Sequence, residues 1–375
     1  MYLLEHDAKE LLAAHGIPVP AGCLIEHLTA QPALPAGPWI VKGQITAGGR
    51  GKAGIIRKAA TPREVAEHVL AILGRSVKDR TVESVRVEQQ VQAAQEIYIG
   101  FLLDAGSGGV RVMLSANGGM DIEQVPHGQL LTGLARPEEK ALIECVDQLA
   151  GKLPSGVATA AREAGHRLAR AFLGLECMLV EINPLFVLDG GRWVAGDAKV
   201  VTDDNALPRQ KALESLVKAR AAAYPDVARK HEHGFDYVEV DPEGEIGLLT
   251  TGAGLSMMLI DELRAAGLKP FNFLDIRTGG LRGETTRLTQ VLQWIGQGKK
   301  VKVLLVNIFA GITDLGEFSR LLVQALGAAN LRPPVVARLV GTNLAAARDT
   351  LAAAKIGLHT DLDAAIAEVR RHLNK

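Results

Sequence analysis

The chain has 375 residues, 47% hydrophobic and 22% charged, with zero formal net charge and a pI near 7.2. That profile fits a globular protein of about two or three domains and excludes a bulk electrostatic pull toward nucleic acid or an anionic membrane. No apolar run approaches the roughly 20 residues of a membrane span, the acidic N-terminus is unlike a signal peptide, and Cys23, Cys145 and Cys177 are spaced for neither zinc nor a disulfide framework, so a cytoplasmic protein is expected.

Residues 7–15 read as an amphipathic helix stopped by Gly16, with Pro18 and Pro20 just beyond. A strand at 39–42 runs into a glycine-rich loop at 47–54, and a further strand resumes at Ile55 and Ile56. In that loop Gly49 and Gly51 let backbone amides approach an anion, while Arg50 and Lys52 add positive charge, a pattern suited to covering phosphates. It matches neither the Walker pattern nor the Rossmann fingerprint, and alone it leaves a flexible basic hairpin tip open as the alternative. Lys42, ending the preceding strand, either reaches a nucleotide phosphate or faces solvent. A helix over 61–73 opens with Thr61-Pro62, a cap followed by proline. Strands follow at 85–88, 96–101 and 110–114. Glu88 and Glu96 bracket a short connection, where a carboxylate can accept from ribose hydroxyls or adenine. A longer helical region covers 137–173 with one break near Pro154.

The apolar run 178–185, the turn Asp189-Gly190-Gly191 and the segment 192–197 read as a hairpin. A turn centred on Gly190 sets Asn183 opposite Asp197, where side chains lie about 5 Å apart. Two such oxygens on one face suit a hard cation such as Mg²⁺, completed by water and nucleotide phosphates. Glu181, two residues before Asn183, points to the same face. A solvated outer face is the alternative that the pattern leaves open.

Residues 224–242 are polar and charged, and the domain boundary is placed in this stretch, dividing 1–235 from 236–375. His231 and His233 within it read as solvated linker residues rather than metal ligands. From Ile246 onward strands alternate with helices. Residues 247–250 lead to Thr251-Gly252-Ala253-Gly254 and a helix through Arg264, residues 303–309 to Ala310-Gly311-Ile312-Thr313, and residues 334–340 to Gly341-Thr342-Asn343 and another helix. Apolar strands that each end in a glycine-containing turn predict an α/β domain with a doubly wound parallel sheet, which binds ligands beyond the strand carboxyl ends.

Several long motifs in order carry a resemblance over nearly the whole chain. They are Leu4-Glu5-His6-Asp7-Ala8-Lys9-Glu10-Leu11, the stretch from Lys42-Gly43-Gln44 through Gly49-Arg50-Gly51-Lys52-Ala53-Gly54, Val180-Glu181-Ile182-Asn183-Pro184-Leu185, Asp204-Asn205-Ala206-Leu207 and Leu305-Val306-Asn307-Ile308-Phe309. Together they resemble the β subunit of the succinyl-CoA synthetase family (succinate–CoA ligase, ADP-forming), malate–CoA ligase-like members included. The resemblance implies an N-terminal ATP-grasp domain followed by a flavodoxin-like CoA-ligase domain. It implies that ATP, a small carboxylate and CoA give acyl-CoA, ADP and phosphate through a phosphohistidine and an acyl phosphate. Carried over by position, it assigns Lys42, Gly49, Arg50, Gly51, Glu88, the Val91 backbone and Glu96 to the nucleotide. Asn183 and Asp197 become Mg²⁺ ligands, and Glu181 steadies the phosphohistidine. Thr251, Gly311, Ile312 and Thr313 fall at the acid. An α subunit brings the histidine and most of the CoA site, in an αβ or α₂β₂ assembly.

At the acid end the motifs depart from the family. Thr251 stands where the family reads asparagine, Ala310-Gly311-Ile312-Thr313-Asp314-Leu315-Gly316 replaces Gly-Gly-Ile-Val-Arg-Cys-Asp, and the usual triple-glycine loop is a longer segment carrying Arg277 and Arg282. Drift within a succinate enzyme is one reading. A changed substrate, such as malate or a sulfonated or sulfinated short acid, is another, since arginine forks suit anions. A third has the arginines grip the α subunit or CoA. Two other functions compete: an ATP-grasp ligase joining a carboxylate to an amine, disfavoured by the C-terminal domain, and a degenerate regulatory subunit, disfavoured by the retained Lys42, Arg50, Glu181, Asn183 and Asp197.

Overall fold

The computed structural model describes residues 1–375 other than Gln31, Asp79, 121–127, 278–282 and Lys375, together with all of their side chains but those of Ala310 and Ile312. Two units, Met1–Ala223 and Tyr224–Lys375, make up the chain.

The first unit opens with α1 (Glu5–Ala14), which buries the stripe Glu5, Ala8, Lys9 and Leu12. That spacing is one helix face, and two of its four positions are charged. Next come β1 (Gly22–Ile25), β2 (Trp39–Gln44), β3 (Ile56–Ala59) and α2 (Pro62–Ile72), the last capped by the Thr61 hydroxyl, which accepts from the Glu64 amide. The short β4 (Ser76–Val77) and β5 (Arg80–Thr81) precede β6 (Ser84–Gln89). An antiparallel sheet in the order β1-β6-β2-β3 results, and α2 closes its core by packing Val65, Val69 and Ile72 with Val41, Val85 and Val87.

A second antiparallel sheet begins with β7 (Gln95–Asp104), β8 (Gly109–Ser115) and β9 (Leu131–Ala135). The helical stretch then forms as α3 (Glu139–Ala150) and α4 (Ser155–Gly174), parted beside Pro154. β10 (Cys177–Val187), β11 (Trp193–Ala195), β12 (Lys199–Thr202) and α5 (Lys211–Ala219) complete the unit. The sheet runs β11-β10-β7-β8-β9, with β12 also paired to β10. On β10 the alternation expected of a strand holds: Val180 and Ile182 are fully buried, whereas Glu181 and Asn183 on the other face are half-buried.

In the second unit, α6 (Pro225–His233) and β13 (Asp236–Glu239) occupy the polar stretch read as a boundary linker. Pro225 in the first turn and Gly234 at the C-cap, with φ of 74°, delimit the helix. Rings mark where this stretch joins the core: Trp294 lies 5.0 Å from His233, 5.7 Å from Phe235 and 5.1 Å from Tyr237 between centroids. His233 is therefore a packing residue rather than a solvated one.

Strands and helices then alternate as β14 (Ile246–Thr250), α7 (Ala253–Ala265), β15 (Asn272–Asp275), α8 (Thr286–Gly296), β16 (Val303–Asp314), α9 (Leu315–Ala329), β17 (Val335–Thr342), α10 (Leu344–Ala353), β18 (Gly357–His359) and α11 (Leu362–Leu373). β14-β16-β17-β18 is a parallel sheet, and β15 pairs antiparallel with β13. Successive residues of β16 enter opposite cores. Leu304, Val306 and Ile308 pack among residues of α8, α9 and α10, and Val303 and Leu305 among residues of α7 and α11. Burial on both faces is why the strand is continuously apolar, and the expected doubly wound sheet is present. No helix among the described residues is long and apolar enough to cross a membrane.

Candidate active site

A cavity of about 770 Å³ in the first unit is lined by Lys42, Gly49, Arg50, Gly51, Glu88, Val91, Glu96, Glu181, Asn183 and Asp197. Every residue assigned from sequence to nucleotide, metal or phosphohistidine therefore meets in one place.

Pleating explains the floor of this cavity. On the β2–β6 ladder Lys42 opposes Arg86 and Ile40 opposes Glu88, so Lys42 and Glu88 are diagonal neighbours on one face. The Lys42 ammonium lies 2.7 Å from Glu88 and donates to Glu5 at 2.8 Å and to the Gly196 carbonyl at 2.8 Å. Lys9, one turn after Glu5 on α1, pairs with Glu5 at 2.6 Å, donates to Glu88 at 2.8 Å and reaches the same Gly196 carbonyl at 2.9 Å. Arg86 adds a 2.8 Å bond to Glu88. Glu5 and Glu88 are only 3% and 2% exposed.

Burial would raise the Glu5 carboxyl, but Arg50, Lys42 and Lys9 outweigh it and hold the group well below the usual carboxylate range. Glu88 is likewise held low, against burial, by Lys9 and Lys42. Burial opposes the charge on Lys42, yet Glu5 and Glu88 raise its pKa above the ordinary lysine value. Glu5, Glu88 and Lys42 thus stay charged because each satisfies another, whereas burial pulls the Lys9 ammonium below the ordinary lysine value.

The hairpin register matches the sequence reading. Leu185 opposes Ala195 and Glu181 opposes Lys199, which sets Asn183 across from Asp197 between these pairs. The turn at Gly190 and Gly191 needs φ of 76° and 75°, a region open to glycine. The Asn183 amide binds a neighbouring loop, accepting from the Gly119 amide at 2.7 Å and donating to the Met120 carbonyl at 2.8 Å. Both Asp197 oxygens accept from one Arg50 nitrogen at 2.7 Å, and the Ala198 amide donates to one of them at 2.8 Å. The other Arg50 terminal nitrogen donates to Glu5 at 2.6 Å. Arg50, expected over phosphate, thus bridges Glu5 on α1 to the expected metal carboxylate.

Two expectations gain detail. Lys9, Lys42 and Arg86 engage both Glu88 oxygens, so Glu88 is a counter-ion before it is an acceptor for ribose. Glu96 is exposed and stands beside Gly119, where a Cβ would come within 2.3 Å of its carboxylate. Glu181 lies 3.9 Å from Lys199.

Sequence reasoning missed Glu5, Lys9, Arg86 and the Gly196 carbonyl as parts of the site. A signal existed in α1: Glu5 and Lys9 are an i,i+4 pair on the face that otherwise carries Ala8 and Leu12. Charges inside an apolar stripe are the mark of a buried ion pair.

The acid-side residues lie in the second unit. Thr251 directly follows β14, and Gly311 and Thr313 lie on the end of β16, which runs past Asn307, the residue opposite Thr250. They thus sit at the carboxyl ends of adjacent parallel strands. The Gly252 amide donates to Asp275 at 2.8 Å, the Thr342 hydroxyl donates to the Gly311 carbonyl at 3.0 Å, and Asp314 caps α9 by accepting from Glu317 at 2.9 Å. Asn307 is fully buried, and its amide nitrogen finds no partner among the described residues. Arg277 is exposed and pairs with Asp236 at 3.3 Å. Arg282 and the Ile312 side chain lie outside the described residues.

Comparison with known proteins adds a second line. Residues 2–187 match the family described as ATP-grasp domain, and residues 249–371 match that described as CoA-ligase. The chain is 38% identical to the succinate–CoA ligase [ADP-forming] subunit beta of Chloroflexus aurantiacus, over 95% of this chain and 94% of that protein. It is 37% identical to the succinate–CoA ligase [GDP-forming] subunit beta of Thermus thermophilus, over 91% of each. The fold resembles that of ATP citrate lyase from Methanothrix soehngenii, with a TM-score of 0.73 at 19% identity, covering 100% of this chain and 99% of that one.

Proposed function

Because this chain belongs to the succinate–CoA ligase β-subunit family, we propose that its cavity is where a nucleoside triphosphate phosphorylates a histidine brought by an α subunit. The chain is a subunit of a nucleotide-dependent acid–thiol ligase. What carries the site proposal is the meeting, in one cavity, of a glycine-rich loop, two buried cations and an opposed amide–carboxylate pair.

The residues fit the chemistry. Lys42 and Arg50 offset phosphate charge where water is scarce, which is most of what phosphoryl transfer asks of a protein. Among the described residues no group of three or more His, Cys, Asp or Glu is placed to hold an ion. Asn183 and Asp197 would instead hold Mg²⁺ jointly with phosphate oxygens and water, the ion serving to neutralise charge on the transferring group. Glu181, on the same face, steadies the imidazole that accepts the phosphoryl group. The acid then takes the phosphoryl group from the histidine to become an acyl phosphate, and the CoA thiol displaces phosphate to give the thioester.

The acid is succinate or a related short anionic acid. A second reading, malate or a sulfonated or sulfinated acid, draws support from the hydroxyls of Thr251 and Thr313 at the strand ends, where the family resemblance leads one to expect other side chains. Relatives named for both ADP and GDP make the nucleotide itself a variable.

The test is nucleoside diphosphate release by the chain co-expressed with a CoA-binding α subunit, supplied with Mg-ATP or Mg-GTP, CoA and a panel of acids. Turnover with succinate makes the altered acid-side motifs drift. Turnover confined to a hydroxy- or sulfo-acid makes Thr251 and Thr313 specificity residues. Silence across the panel, with partner and nucleotide bound, overturns the ligase mechanism for these acids.

A further inference from the structure

Arg50 has two partners of different kinds. Asp197 is expected to change its own partner when a metal–nucleotide complex enters. Glu5 sits on α1 and lines the cavity beside Lys42 and Arg50, but the proposed reaction gives it no part in holding metal or phosphate. We propose that Glu5 is the positioning residue of the nucleotide site, holding Lys42 and Arg50 at a fixed separation while Arg50 exchanges Asp197 for phosphate. This rests on the nucleotide reading of the cavity given above.

The geometry divides the labour within one carboxylate. One Glu5 oxygen accepts from Lys42 at 2.8 Å and pairs with Lys9 at 2.6 Å, and the other accepts from Arg50 at 2.6 Å. The Glu5 side chain is 1% exposed, so neither water nor salt competes for these bonds. Arg50 is divided in the same way, with one terminal nitrogen on Glu5 and the other on Asp197. When Asp197 turns to the metal, the second nitrogen loses its partner and the first keeps the guanidinium inside the cavity. A phosphate oxygen can then take the place that Asp197 vacates. Without Glu5 the freed arginine would leave with its glycine-rich loop, and Lys42 would keep only Glu88 and the Gly196 carbonyl, neither of which is tied to Arg50. A carboxylate that only neutralised buried charge would not need to split its oxygens between the strand lysine and the loop arginine.

The experiment compares Glu5→Gln and Glu5→Asp with the parent, each as full chain in complex with its α subunit. Calorimetry with ADP and GDP, with and without Mg²⁺, gives nucleotide affinity. Steady-state rates give KM and kcat for nucleotide, acid and CoA, and a thermal melt reports folding. Glu5→Gln should weaken nucleotide binding about tenfold, as loss of a charged hydrogen bond does, with KM for acid and CoA held within about twofold. Glu5→Asp keeps the charge and should recover part of the loss. A folded Glu5→Gln with nucleotide affinity within about twofold of the parent overturns the proposal, as does an even decline in all three substrates that follows the melting temperature. Should Glu5→Gln fail to fold, Glu5→Asp decides by the same criterion of a nucleotide-only effect. If the parent complex itself binds neither ADP nor GDP, it is the nucleotide reading that has failed, and the proposal falls with it.

Discussion

The two units solve the placement of polar groups in opposite ways. In the first, charged side chains lie under the sheets, and ions almost closed off from water hold one another in place. In the second, the sheet is apolar on both faces, and the groups expected at the acid stand at the strand ends, where Gly311 is exposed and Thr251 and Thr313 are half-buried. The buried arrangement suits a substrate part that is always the same, a polyphosphate. The rim arrangement suits a part that can differ between relatives, since changing a strand-end residue leaves the core untouched. If the proposed sites hold, the contrast teaches that the unvarying part of the chemistry is read by buried groups and the variable part by groups at the rim.

The hardest blow to the first unit should be Asp197→Ala. On the proposed reaction it is expected to lower Mg-ATP-dependent labelling of the α-subunit histidine by about a thousandfold, since charge neutralisation is the core of the step. Unchanged labelling would sink the metal assignment and the contrast with it. Glu181→Gln should leave nucleotide affinity within about twofold while slowing formation or discharge of the phosphohistidine about a hundredfold, which rapid-quench kinetics would resolve. Normal transients would strip Glu181 of its role.

On the rim, Thr251→Asn should change the preference among acids by about tenfold, the scale of one polar contact in a binding site, with histidine labelling by ATP unaltered. If labelling fell in step with acid turnover, the division between the two units would not hold. The smallest effect is expected from acid. Glu5 and Glu88 have an ordinary value of 4.5 and are both held below it in the folded protein. Their contribution is therefore complete above that value and lost as pH falls through the depressed range. In the second unit Asp314, held low by the Glu317 amide and Asn343, is a surface group. On progressive acidification below pH 4.5, hydrogen exchange should open the first unit before the second, and the reverse order would contradict a stabilising role for the buried ions.

What was legible in sequence follows from the range of each interaction. The hairpin pairing of Asn183 with Asp197 could be counted from the turn, because strand pairing is local and has period two. The apolar runs of β14 and β16 announced a sheet covered on both faces. The ties from Arg50 to Glu5 and to Asp197, which span 45 and 147 residues, have no periodic signature at all. They left only a hint in α1, where Glu5 and Lys9 interrupt an apolar face. The polarity of 224–242 reads as a boundary linker, yet Pro225 and Gly234 in that stretch delimit α6. Phe235 and Tyr237 anchor this segment in the core, both against Trp294, and composition averages two such residues away.

The Gly196 carbonyl, which takes bonds from both Lys9 and Lys42, lies one residue before Asp197, and its amide donates to Pro184. A Cβ there would come within 2.4 Å of the Phe186 ring. The connection between the two lysines and the expected metal carboxylate thus belongs to the main chain, and alanine scanning, which edits only side chains, passes over it. Substituting Gly196 would disturb Phe186 and leave the carbonyl in place. An amide-to-ester exchange at the Gly196–Asp197 linkage, made by semisynthesis, would weaken the acceptor and preserve every side chain, which makes this oxygen a part of the site that chemistry can address and codons cannot.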